Sequence, residues 1–177
     1  MIISILVAAF LAVLSVLWVV WKIDQGRFLS LSWLQTGLTA GSFWLLFSIG
    51  LTVFYWKSYY EYFVPRSLLW LRPLTFVIYF LVALGIRWLA LHFPGRSSLA
   101  FCLLGGLESI PEHALGIYRM HILEIPILQG IRPHEIFIFA FFEYVIYWAI
   151  VLTLAVWVGG LWTKKRRGMV NPAPPQP

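Results

Sequence analysis

The sequence predicts an all-α fold, a polytopic membrane bundle of about five transmembrane helices, and three observations predict it. The 177 residues are 61% hydrophobic and only 11% charged, where a soluble domain carries about a quarter charged residues. The mean hydropathy is +0.85, and the apolar residues fall in runs close to the ~20 residues that span a bilayer. Aromatic and single basic residues collect at the ends of those runs, as they do at membrane interfaces. No soluble core could hide this much apolar surface.

The first run, Ile2–Trp21, is interrupted only by Ser4 and Ser15. It is too long for a signal-peptide core, no basic residue precedes it and no small-x-small cleavage site follows, so it is expected to stay as a helix. Gly37–Trp56 is the second run, with Gly41, Ser42, Ser48 and Gly50 leaving room for a close neighbour. Pro73–Phe93 is the third and opens on a proline suited to a first helical turn. Ser97–Tyr118 is the fourth, and Ile136–Trp157 the fifth. Four spans plus a re-entrant or broken fourth segment is the alternative. Residues 1–163 would form one membrane domain. Residues 164–177, KKRR followed by NPAPPQP, would be a disordered tail with nothing to bury.

KKRR directly after the last run puts the C-terminus in the cytoplasm and suits contact with anionic lipid. The plasma membrane is the expected location. The net charge of +6 does not point to nucleic acid, because the other basic residues are scattered singly at run ends. Trp18, Trp21, the stretch FYWKSYYEYF at 54–63, Trp157 and Trp162 read as interfacial belts, with Glu61 and His92 as belt or interface residues. The single cysteine, Cys102, rules out an intrachain disulfide and Cys-based metal sites. Walker A, dinucleotide, HExxH, CxxC and serine-hydrolase signatures are absent.

Five of the seven acidic residues and three of the four histidines lie between 108 and 143. Glu108, Glu112 and His113 sit inside the fourth run, within LESIPEH. Glu143 sits inside the fifth. At 1.5 Å per residue, Glu112 and His113 lie roughly 8–9 Å below the end of the fourth helix, and Glu143 roughly 10 Å into the fifth. Antiparallel neighbours would hold them in one layer, with Glu108 a turn deeper on the Glu112 face. An ionisable residue at this depth costs about 2.5–3.5 kcal/mol on insertion scales, and intramembrane acids are usually functional. The expected catalytic set is therefore Glu108, Glu112, His113 and Glu143; the alternative is a structural polar network that locks the helices together, with Arg87 and Arg119 as its counterions. Two carboxyls one turn apart at low dielectric favour one that keeps its proton, the preparation for a general acid. Gly105, Gly106 and Pro111 suggest irregular backbone, a kink or break at Pro111, lining a polar cavity. His121, Glu124, His134 and Glu135 fall in the connection above and read as solvated loop.

Acid–base chemistry, namely isomerisation, hydration or cyclisation of a lipid-soluble isoprenoid or sterol-like substrate, fits such a set without a cofactor. The stretch RPHEIFIFAFF at 132–142 faintly resembles the Pro-x-Glu-acid motif of membrane lycopene cyclases, but Ile136 stands where the second acid belongs, so no family follows from it. An accessory subunit or assembly factor of a larger membrane complex is the second reading. A Glu/His iron or zinc oxidoreductase is the third, although the spacing departs from the Glu-x-x-His di-iron pattern. Haem or chlorophyll ligation would rest on His113 alone. A transporter lacks the inverted repeat it needs.

Overall fold

The computed structural model describes residues 2–55, 73–119, 121 and 130–170, all of them in helices or short connections. The helices are α1 (Ile2–Ser30), α2 (Trp33–Tyr55), α3 (Pro73–Ala90), α4 (Ser97–Arg119) and α5 (Pro133–Val170). The belt at 56–63, Glu61, Lys57, Arg66, Arg72, Glu124 and the tail at 171–177 lie outside the described residues. Three of the described helices are long and apolar enough to cross a membrane, over Trp33–Leu51, Pro73–Ala90 and Pro133–Gly160. This is consistent with an integral membrane protein. α4 is not among the three. In α4 the polar stretch LESIPEH dilutes the apolar run.

The helix starts follow local chemistry. Ser32 caps α2, its Oγ accepting from Gln35 N at 3.1 Å, in the Ser-x-x-Gln spacing of a capping box. α5 opens on Pro133, and Glu135 Oε2 accepts the backbone N–H of Arg132 at 2.8 Å. Glu135 is thus a capping residue, and His134 beside it is exposed.

The ends follow less closely. α1 continues nine residues past Trp21 to Ser30, since Lys22, Asp24 and Gln25 stop an apolar run without stopping a helix. α5 likewise runs through KKRR to Val170, so residues 164–170 are helical where the sequence suggests a disordered tail. At 1.5 Å per residue its 38 residues measure about 57 Å, longer than a hydrocarbon core of about 30 Å. One end of α5 therefore projects beyond any bilayer. α4 is unbroken from Ser97 to Arg119 with Pro111 inside it, so of the kink or break expected at Pro111 the break does not occur.

α5 is the central helix and packs on α1, α2 and α4, while α2 packs along α3. Its buried residues, Ala140, Tyr144, Val145, Trp148, Ala149, Val151, Leu152 and Ala155, recur at the three- and four-residue spacing of a helix stripe. Small residues set the helix spacing. A Cβ on Gly37 or Gly41 of α2 would meet the Phe80 ring or Phe76 of α3, and one on Gly105 of α4 would overlap the Trp148 indole of α5. A Cβ on Gly106 would meet Val145 and Phe141. Gly105-Gly106 thus serves close packing and does not line the cavity that the sequence suggests.

Candidate functional site

Glu112 is held by two helices other than its own. Its Oε2 accepts the Tyr79 hydroxyl of α3 at 2.7 Å and the Tyr144 hydroxyl of α5 at 2.7 Å. The two hydroxyl oxygens are 3.4 Å apart. Both tyrosines are buried, at 7% and 6% exposure, whereas Glu112 is exposed. Two donated bonds use both lone pairs of Oε2, so a proton on this carboxyl resides on Oε1. That oxygen makes no hydrogen bond among the described residues.

The tyrosines are fixed by aromatic packing around Trp44 of α2. The Trp44 ring stacks on Tyr79 with centroids 4.2 Å apart and lies 4.9 Å from Tyr144 and 5.5 Å from Tyr147. Tyr147 also packs on Phe47 at 4.7 Å. Stacked and tilted rings at these separations hold one another in defined orientations. The hydroxyl positions therefore follow from packing between α2, α3 and α5.

His113 stands beside this group. Its Nδ1 lies 2.9 Å from the Ser109 carbonyl; a carbonyl only accepts, so Nδ1 carries the proton. In the neutral ring Nε2 then keeps its lone pair and is the basic nitrogen. The ring meets Tyr144 edge-on, with centroids 5.6 Å apart. Glu108, one turn deeper on α4, is half-buried, and its Oε2 is buried without a hydrogen-bond partner.

Of the four residues expected to act together, Glu108 and Glu112 share one side of α4, and His113 lies about 100° round the helix from Glu112, beside Tyr144. Glu143 does not join them directly. Its Oε1 accepts the hydroxyl of Tyr147, four residues on along α5, and a ring contact between Tyr144 and Tyr147 at 5.9 Å is what links it to the Glu112 group. Residue 143 lies about 100° round the helix from Tyr144, and Tyr144 is the one turned to Glu112.

Arg87 is not a counterion for Glu108. It is 3% exposed and donates to the Phe28 carbonyl at 3.3 Å, the Leu31 carbonyl at 2.6 Å and Thr36 Oγ1 at 3.1 Å. The Phe28 and Trp33 rings flank its guanidinium at 5.0 and 5.1 Å. It closes the C-terminal end of α1, where a cation meets the negative end of the helix dipole. Arg119 is exposed at the end of α4, as is His121, which has a positive φ of 53°.

Sequence reasoning missed Tyr79, Tyr144, Trp44 and Trp148, because tyrosine and tryptophan read as interface belts. The available signal was depth. Tyr79 lies about 9 Å past Pro73 along α3 at 1.5 Å per residue, too deep for the headgroup level, and a hydroxyl there needs a partner. No group of three or more His, Cys, Asp or Glu among the described residues is arranged to hold a metal ion. Comparison with protein-family models, with curated proteins and with solved structures returns no match for this chain.

Proposed function

We propose that this is an integral membrane protein whose Glu112 group performs acid–base chemistry on an apolar, bilayer-resident molecule, adding a proton to a carbon–carbon double bond and removing one from a neighbouring carbon. The observation that carries this reading is the paired bond from Tyr79 and Tyr144 to one oxygen of Glu112. A carboxyl anchored through one oxygen presents the other at a fixed place, which is what a general acid requires. His113, with its proton on Nδ1, is the complementary base through Nε2. Isomerisation, hydration and cyclisation of an alkene all begin with this protonation. Glu108 extends the polar face a turn deeper, and Glu143 belongs to the outer shell through Tyr147.

In the same reading all five helices cross the plasma membrane. The basic end of α5 lies in the cytoplasm and the Glu112 group lies nearer the opposite face. The substrate arrives through the lipid, and no cofactor takes part.

The test is deuterium transfer. Membranes containing the protein are incubated in D2O, and extracted isoprenoids and sterols are examined for deuterium bonded to carbon. Wild type is expected to label at least one lipid, and Glu112→Gln, folded and stable in detergent, to label none. Equal labelling by both, or none by either, overturns the reading. Loss of a stoichiometric protein partner on Glu112→Gln without any labelling would instead favour an accessory subunit of a larger membrane complex.

A further inference from the structure

α5 carries a membrane-depth acid that the Glu112 group does not use. Glu143 is half-buried, and its one hydrogen bond among the described residues comes from Tyr147 of its own helix. It lies about 100° round α5 from Tyr144, at the edge of the face that the other described helices leave uncovered. On that face Phe139 is 56%, Ile150 40% and Trp157 63% exposed, and Thr153 is exposed as well. Phe139, Glu143, Ile146, Ile150, Thr153 and Trp157 follow one another at alternating steps of four and three residues. This is the seven-residue period of a seam between two supercoiled helices, and a lone polar residue in such a seam fixes register. The row is about 27 Å long, close to the ~30 Å of a hydrocarbon core.

A lipid tail offers the second oxygen of Glu143 nothing, and an acid at this depth is costly to leave there. A carboxyl that carries its proton is both donor and acceptor, so a second carboxyl of the same kind satisfies it. Copies of one membrane protein share one orientation, and a two-fold axis along the bilayer normal sets two α5 helices side by side and parallel. Glu143 then meets its counterpart at the same depth, and each apolar residue of the row meets its own kind.

We propose that this protein forms a parallel homodimer along the Phe139–Trp157 seam of α5, registered by the pair of Glu143 side chains. Tyr147 holds one oxygen of each carboxyl, and the other turns to the second copy. Lys164 continues the row about 31 Å from Glu143 along the axis, beyond the hydrocarbon, where salt screens like charges over about 8 Å. The dimer does not depend on the reading of Glu112, which Tyr144 holds on a different side of α5.

Full-length protein in liposomes is counted by single-molecule photobleaching over a range of protein-to-lipid ratios, and cysteine variants are oxidised with copper phenanthroline. Two-step bleaching is expected at high ratio, giving way to one step on dilution. Ile150→Cys and Phe139→Cys should form disulfide-linked dimers. Leu115→Cys on α4, exposed but off the seam, should not, and wild type, with only the buried Cys102, is the blank. Glu143→Leu should weaken the dimer at least about fivefold, the loss of a hydrogen bond between helices in lipid. Glu143→Gln, whose amide also donates and accepts, should keep it. The cross-links read the seam even if a Glu143 variant folds poorly. A monomer at every ratio, equal cross-linking of Leu115→Cys, or a dimer unweakened by Glu143→Leu overturns the proposal. So does a monomer that pairs instead with a synthetic apolar helix bearing one lysine at the depth of Glu143, which would give the face to a basic partner. Dimerisation is read without substrate, so its failure and a failure of deuterium transfer are separate results.

Discussion

Two buried polar groups sit on α3 about 12 Å apart along its axis, and they are built in opposite ways. Arg87 is sequestered, spending its contacts on two carbonyls and a hydroxyl at the α1–α2 turn, with aromatic rings on either side. Tyr79 points the other kind of chemistry outward, giving its hydroxyl to the exposed carboxyl of Glu112. Arg87 and Glu112 do not rely on one another. Each is met by neutral dipoles, which for the buried Arg87 avoids burying a second ion. The cation has no surface left to offer a ligand. The carboxyl keeps one oxygen for something else, and that separates a structural clamp from a candidate site.

The largest effect expected from breaking this contrast is at the clamp. Arg87→Met strips donors from three oxygens and should lower unfolding free energy in detergent by at least about 3 kcal/mol. Arg87→Lys should recover only part of it, because an ammonium lacks the guanidinium fork. Equal stability of Arg87→Met and wild type would remove the clamp from the account.

Next comes the packing that brings Trp148 against α4. Gly105→Ala should cost about 1–3 kcal/mol through overlap with the indole. Gly50→Ala and Gly85→Ala, where a Cβ meets nothing within 4 Å, should be neutral or stabilise by up to about 1 kcal/mol. Thermal unfolding of the three variants side by side decides it.

Smaller effects sharpen the site end. Tyr79→Phe and Tyr144→Phe should each destabilise by about 1 kcal/mol while impairing deuterium transfer far more than stability. Their combined effect should depart from additivity, because the two hydroxyls share one acceptor. At the opposite end, Ser32→Ala should cost about 1 kcal/mol as a lost cap and leave transfer unchanged. A comparable loss of transfer in Ser32→Ala would mean that the two ends are not independent.

Much of the fold was legible because bilayer thickness and backbone chemistry both mark the sequence. Pro73 and Ser97 open α3 and α4 where the apolar runs predict, and the polar concentration on LESIPEH marked the right helix. Lys22 and KKRR misled, since charge ends an apolar run but not a helix. At Pro111 the sequence allowed a kink or a break, and the helix runs on without the break. The site was half legible. Acids on one helix declare themselves by their cost, but Tyr79 and Tyr144 come from other helices, and which hydroxyl reaches which carboxyl depends on the rotation of α3 and α5 about their axes. Glu143 and Tyr144 are neighbours in sequence, and about 100° of helix decided between them. Arg87 failed as a counterion for a similar reason, as the Phe28 and Leu31 carbonyls at the end of α1 lay within its reach.

The central claim is the pair of tyrosine bonds to Glu112, and isotope-edited infrared spectroscopy tests it in the bilayer. With ¹³C-labelled glutamate, the difference between wild type and Glu112→Gln isolates the Glu112 carboxyl band. That band should shift in Tyr79→Phe and again in Tyr144→Phe, and hold its position in Tyr147→Phe. A band unmoved by the first two substitutions would contradict the account.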